Sequence, residues 1–296
     1  MSGTGATRKA TAPWTASGTL DAPGGALEYA CLGPQPDEAP TLVLLHEGLG
    51  CTRLWRDVPE ALARATGFGA CVFSRAGYGH SDPVALPRPL DYMNREAIEV
   101  LPAVLEAFGV RRAVLVGHSD GATIAAVHVG RVVDSRVIGA VLMAPHFFTE
   151  AAGLVEIAKA REAFETGDLR IRLAKYHRDP DVAFRGWNDA WLDPAFDVGR
   201  AVDALGDIRV PVLAIQGRDD PYGTLDQIEA VTRDVRRAVV STLILDGCRH
   251  APHLERGPET IAAIATFCER AASVPPDARA SGSATGRASD PMTARR

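Results

Sequence analysis

The chain has 296 residues, 46% of them hydrophobic and 23% charged. That length accommodates one large α/β domain with an insertion, and the composition is that of an ordinary globular protein. The formal net charge of −5 argues against a nucleic-acid partner or an anionic membrane surface, both of which select basic faces.

No run approaches the roughly 18 apolar residues of a membrane span, and the polar start Met1 to Ala12 lacks the apolar stretch of a secretory signal. Cys31, Cys51, Cys71, Cys248 and Cys268 show no C-x-x-C spacing. An odd, scattered set predicts free thiols in a reducing compartment, so the expected location is cytoplasmic. Residues 1–16 and 272–296 are rich in small and polar residues and are expected to be disordered.

Between these ends, short apolar runs alternate with amphipathic stretches. Ser17 to Leu32 reads as a hairpin around Ala22-Pro23-Gly24-Gly25. Helices are expected at Trp55–Ala65 and Asp91–Phe108, and buried strands at Thr41–His46, Gly69–Ser74, Ala113–His118 and Val137–Ala144. Gly121–Val133 follows as a helix. Later come strands Val210–Gln216 and Thr242–Leu245 and helices Thr224–Val235 and Thr260–Ala271. This alternation predicts an α/β fold with a doubly wound, mostly parallel sheet, built from residues 17–148 and 207–271. Residues 149–206 break the rhythm. They offer helical pieces at Glu150–Phe164, Leu169–Tyr176 and Val182–Trp191, and no strand. The segment reads as a helical cap over the carboxyl edge of the sheet, where open α/β folds place ligands.

Gly117-His118-Ser119-Asp120-Gly121 matches G-x-S-x-G between an apolar run and a helix-like stretch. That is the context of a nucleophile elbow, a sharp strand-to-helix turn that exposes the serine oxygen. A serine hydroxyl needs a base. His250 and His253 both follow the last strand, and His250, the first to reach the sheet edge, is the expected base. The acid should sit at the end of Val210–Gln216, in Gly217-Arg218-Asp219-Asp220. Its spacing from Gly217 favours Asp220 and leaves Asp219 as a turn residue bonding its own backbone. Two backbone N–H groups should form an oxyanion hole, that of Asp120 and that of Gly48 in His46-Glu47-Gly48-Leu49-Gly50. Glu47 beside such a hole must point away or be paired: it is expected to hydrogen-bond loop amides or pair with an arginine such as Arg75, or else to contact substrate.

These motifs, together with Ser74-Arg75-Ala76-Gly77-Tyr78-Gly79-His80-Ser81-Asp82, fall in the order seen in α/β-hydrolases with a helical cap, and the chain resembles that family over residues 17–271. Its members include carboxylesterases, enol-lactonases, carbon–carbon bond hydrolases and cofactor-free haloperoxidases. The commoner family loop is H-G-x-x-G, where this chain has Glu47 at the first glycine, and Arg249 replaces the commoner glycine before the histidine. The resemblance implies a Ser119, Asp220, His250 triad and hydrolysis of a small carboxylic ester, lactone or thioester through an acyl-enzyme. Cleavage of a carbon–carbon bond in a ring-cleavage product, with Arg75 near the loop mouth, and ligand binding on a hydrolase scaffold without catalysis are the alternatives.

In the cap, Phe184, Trp187 and Trp191 share a helix face, with Tyr176 and His177 nearby. Leu49, His146, Trp187 and Trp191 are therefore candidates for the substrate pocket, and Glu47 is a further one. The residues show no H-E-x-x-H, no P-loop and no G-x-G-x-x-G after a strand, so no metal and no cofactor are expected. The expected partner is a small-molecule substrate.

Overall fold

The computed structural model describes residues 14–273. Most of the two ends read as disordered lies outside the described residues, but not all of it. β1 (Trp14–Ala22) already begins at Trp14, and the last helix runs to Ser273.

β1 and β2 (Gly25–Gly33) form the expected hairpin, with Ala22 opposite Gly25, so the turn is Pro23-Gly24. Gly24 supplies the positive φ, 97°, that this tight reversal needs. β2 continues antiparallel onto β4 (Gly69–Phe73). From there the sheet is parallel through β3 (Thr41–Leu45), β5 (Ala113–His118), β6 (Val137–Met143), β7 (Val212–Gly217) and β8 (Val240–Leu245). The strand order is β1-β2-β4-β3-β5-β6-β7-β8. β3 to β7 are buried throughout, because helices cover both faces.

Successive strand side chains point to opposite faces. Leu42, Leu44, Val114 and Val116 pack against Leu62 of α1 (Val58–Thr66) and Ile264 and Phe267 of α11 (Gly257–Ser273). Val43, Leu45, Leu115 and Leu142 pack on the other face against Leu101, Ile124 and Ile228. These come from α3 (Leu101–Ala107), α4 (Asp120–Arg131) and α9 (Asp226–Asp234). The helix expected over Asp91–Phe108 is broken. α2 (Tyr92–Arg95) passes through a wide π turn, Glu96–Val100, into α3. Leu101 N donates five residues back to Glu96 O; Pro102, next in that register, has no N–H, and the Ala97 carbonyl it would have met accepts from His128 Nδ1 at 2.8 Å.

Between β6 and β7 lie α5 (Ala151–Glu165), α6 (Leu169–Leu173), α7 (Pro180–Trp191), a 3-10 turn Val198–Ala201 and α8 (Val202–Leu205). α7 begins two residues earlier than its periodicity suggests. Asp179 caps it by accepting from the N–H groups of Asp181 and Val182, and Pro180 fits the first turn. The two long cap helices are locked by Phe164 stacked on Phe184, 3.9 Å between centroids. Buried Asn188 adds polar contacts, donating to Ile157 O at 2.8 Å and accepting from Arg161 Nε at 2.8 Å. α10 (Pro252–Glu255) precedes α11.

Five free thiols were the expectation, and the structure corrects it. Cys31 and Cys71 are direct register partners on β2 and β4, 4.1 Å apart at Cα, and form a disulfide. Strand order creates this neighbourhood, which spacing along the chain does not reveal. Cys51, Cys248 and Cys268 are free and buried. The cysteines alone therefore no longer argue for a reducing compartment. Among the described residues, no helix is long and apolar enough to cross a membrane.

Where the chain leaves β6 for the cap, Gln227 of α9 holds it. Its Oε1 accepts from Phe147 N at 2.8 Å, and its Nε2 donates to Phe148 O at 3.0 Å and Glu150 Oε1 at 2.7 Å. Gln227 is fully buried, so its loss strands backbone groups away from water. Gln227→Leu is expected to lower the unfolding free energy by about 1–3 kcal/mol, read by urea denaturation. A change within about 0.5 kcal/mol, the range of ordinary surface substitutions, would show that the junction does not depend on it.

Candidate active site

Ser119 sits between β5 and α4 with φ 53° and ψ −119°, a strained backbone for a residue with a side chain. The flanking glycines make the turn possible. A Cβ on Gly117 would lie 2.3 Å from Gly121 O, and one on Gly121 would lie 2.0 Å from Leu45 O. The turn presents the Ser119 hydroxyl beside the positive end of the α4 dipole.

Ser119 Oγ lies 3.0 Å from His250 Nε2, so the hydroxyl can donate to it. The other ring nitrogen, Nδ1, donates to Asp220 Oδ2 at 2.8 Å. Asp220 also accepts from Gln216 Nε2 at 2.8 Å and Tyr222 N at 2.9 Å. Burial opposes its charge, but the hydrogen bond and charge of His250 and the Tyr222 N–H together hold its carboxyl below the usual value. The self-bonding turn expected of Asp219 belongs to Asp220 instead, since Asp219 is exposed and its N–H donates to Cys248 O. His253 packs against Trp55 and His118, with centroids 4.9 and 4.6 Å away, and burial pushes its pKa down to about 3.

Gly48 and Asp120 border the same cavity as Ser119. Among the described residues, neither N–H has an acceptor. Arg75 holds both segments. It donates to His46 O at 2.6 Å and Glu47 O at 3.1 Å, just before Gly48, and lies 3.7 Å from Asp120 Oδ2. Both side chains of this ion pair are 1% exposed. The loop-mouth position expected for Arg75 is thus incorrect, because it is sealed behind the His46–Gly50 loop and does not line the cavity. Asp120 Oδ2 also accepts from Tyr92 OH, which in turn accepts from Trp191 Nε1 at 3.2 Å. Burial raises the Asp120 carboxyl above its usual value, against the pull of Arg75.

The expected Glu47–Arg75 side-chain pair is also corrected. Arg75 takes the Glu47 carbonyl, while the Glu47 carboxylate faces His118, Oε2 to Nδ1 3.4 Å. A Cβ on Gly50 would lie 2.5 Å from Glu47 Oε2, so that glycine leaves room for the carboxylate. The cap reaches the same loop through His177, which accepts from Gly79 N at 2.9 Å and donates to Leu49 O at 3.1 Å.

The cavity encloses about 120 Å³. Of the candidates, Glu47, Leu49, His146, Trp187 and Trp191 line it with Gly48, Ser119, Asp120 and His250. The Trp187 indole lies on Gly48, where a Cβ would be 2.2 Å from its Nε1. His146 meets the Trp191 ring at 5.3 Å and is kept neutral by burial, its pKa about 3. Glu150, Gly153, Leu154, Ile157 and Tyr222 also line the cavity and were not foreseen. Four of them fall at i, i+3, i+4 and i+7, the spacing of one helix face, and that signal was available. Among the described residues, no Lys or Arg lines the cavity. Among the described residues, no cluster of three or more His, Cys, Asp or Glu is placed to hold a metal ion.

No curated protein matches the sequence. Solved structures share the fold. 2-Hydroxy-6-oxo-6-phenylhexa-2,4-dienoate hydrolase of Rhodococcus sp. strain RHA1 superposes with a TM-score of 0.70 at 18% identity, over 88% of this chain and 100% of that one. The enol-lactonase of Burkholderia xenovorans LB400 gives 0.64 at 19%, over 85% and 100%. A carboxylesterase of Bacillus subtilis gives 0.60 at 20%, over 86% and 91%. Residues 42–264 match the profile of the alpha/beta hydrolase family. Spanning most of the sheet, the elbow and both loops after β7 and β8, that match shows that the chain belongs to the alpha/beta hydrolase family.

Proposed function

We propose that the protein is a serine hydrolase that cleaves a small, uncharged carboxylic ester, lactone or thioester through an acyl-enzyme. The supporting observation is the hydrogen-bonded line Ser119–His250–Asp220 opening into a cavity that two unpartnered N–H groups share. In this reading His250 Nε2 takes the Ser119 proton as Oγ attacks the carbonyl carbon. Asp220 stabilises the imidazolium, and the Gly48 and Asp120 N–H groups bind the developing oxyanion. His250 then protonates the leaving alcohol or thiol, and water releases the acid by the same steps in reverse.

The cavity walls favour neutral substrates. Glu150 contributes a carboxylate, the Glu47 carboxylate is faced by His118, no Lys or Arg lines the cavity among the described residues, and His146 is neutral. Carbon–carbon cleavage of a carboxylate-bearing ring-cleavage product finds no cation here, since Arg75 is committed to His46, Glu47 and Asp120.

Turnover of p-nitrophenyl acetate and butyrate is expected, and Ser119→Ala should abolish it. A fluorophosphonate should label Ser119 alone. Labelling at another serine would overturn the assignment, and an unlabelled, inactive protein would point to ligand binding without catalysis. His250→Ala and Asp220→Asn are expected to lower kcat by about 10⁴-fold, and His253→Ala and Asp219→Asn by less than about tenfold. Equal losses within either pair would mean that the partners are wrongly chosen.

Substrate charge gives an independent check. Monomethyl succinate should be hydrolysed with a kcat/KM at least about tenfold below that of methyl butyrate, because its free carboxylate meets the Glu150 carboxylate and no Lys or Arg among the described lining residues. Equal rates, or a preference for the anion, would remove the case for a neutral substrate.

A further inference from the structure

His118 has an acceptor on each ring nitrogen. Nδ1 faces the Glu47 carboxylate at 3.4 Å, and Nε2 lies 2.7 Å from the backbone carbonyl of His250. A neutral imidazole carries one N–H and can donate to only one of them. Both contacts are made together only by the imidazolium, and Glu47 is placed to balance its charge. The remaining groups around this ring add no competing cation from β6 or α10. His146 and His253 are held neutral by burial, each with a pKa of about 3. Asp220 contributes a second negative charge, and the His250 ring stands 5.1 Å away. Burial alone would lower the His118 pKa, yet Glu47 raises it above the ordinary 6.5.

From this geometry we infer that Glu47 and His118 form a charged positioning pair that fixes the base of the triad through its own main chain. The inference rests on the hydrolase reading given above. His118 directly precedes Ser119 at the end of β5, while His250 stands on the loop after β8. The hydrogen bond to the His250 carbonyl ties these two elements together beside the reacting atoms. The His250 residue is then held at three points: Nδ1 by Asp220, Nε2 by Ser119, and its carbonyl by His118. The pair thereby sets the separation of nucleophile and base, a distance to which rates are steeply sensitive. It also explains why a carboxylate is tolerated beside an oxyanion hole, since its charge is spent on His118. The contribution is present below the ordinary imidazole value of 6.5 and fades as pH rises through the raised value, when His118 must give up one of its two contacts.

The test combines ring-proton counting with kinetics. In the wild-type protein at pH 7, nitrogen–proton correlation spectra should show both His118 ring nitrogens protonated. The kcat for p-nitrophenyl butyrate should fall on the alkaline side as that signal is lost. Glu47→Gln is expected to move this alkaline limb down by about one pH unit or more and to lower kcat at pH 8 by about 10- to 100-fold, with KM changed less than about threefold. A His118 ring with a single proton at pH 7 overturns the proposal. So does a Glu47→Gln variant with a lower Tm but an unmoved pH limb and kcat, since that is what a purely structural contact would produce. If Glu47→Gln does not fold, the wild-type ring spectrum decides by itself. Failure of the hydrolase reading shows separately, as absence of turnover and of fluorophosphonate labelling at Ser119, because the proton count on His118 does not depend on either.

Discussion

A single buried cation organises the centre of this molecule. Arg75 leaves the end of β4 with almost no exposure and spends its guanidinium on two consecutive carbonyls, His46 O and Glu47 O, and on the Asp120 carboxylate. Taking such a charge out of water is costly unless its partners are complete and well placed. Here they belong to the two segments that carry Gly48 and Asp120, which border the cavity. A planar fork can reach all three acceptors, whereas the compact ammonium of lysine cannot. The same residue gives its own N–H to His46 Nε2 at 3.0 Å, which fixes the ring whose Nδ1 donates to Glu47 O at 2.7 Å. The loop before Gly48 is thus held by hydrogen bonds to its carbonyls, and among the described residues the Gly48 N–H has no partner.

Much of this was legible in the order of residues. The elbow is local: an apolar run, two glycines around a serine and the start of a helix lie within a few positions, and their chemistry does not depend on distant segments. The parallel sheet was readable because its strands are apolar on both faces. Spacing at the end of β7 pointed to Asp220, whose carboxylate accepts from His250. What could not be read were contacts made by juxtaposition. Arg75, Tyr92 and Asp120 come from three separate segments, and no periodicity links them. For Glu47, a sequence does not show whether an arginine will take a carboxylate or the carbonyl behind it, and Arg75 takes the carbonyl. Cys31 and Cys71 lie on strands that only the sheet order makes adjacent. The π turn before Pro102 likewise interrupts an amphipathic pattern that reads as one helix.

The helical insertion is bonded to the core at several independent places. Gln227 holds its entry from β6, His177 bridges Gly79 and Leu49, and Trp191 reaches Tyr92. Trp187 rests on the glycine of the oxyanion loop. Two of these contacts, those of His177 and Trp187, end on Leu49 and Gly48 beside the cavity, so the insertion cannot shift there without disturbing that loop.

Asp120 belongs to both. Its main chain faces the cavity while its side chain, through the Tyr92 hydroxyl, ends on an indole of the insertion. Roof and reaction centre are therefore not separable modules. An insertion without a donor at the position of Trp191 would leave the hydroxyl of Tyr92 with one buried partner instead of two. Engineering of new specificity in this scaffold is better directed at Leu154 and Ile157, which touch the cavity from a cap helix without entering that polar chain.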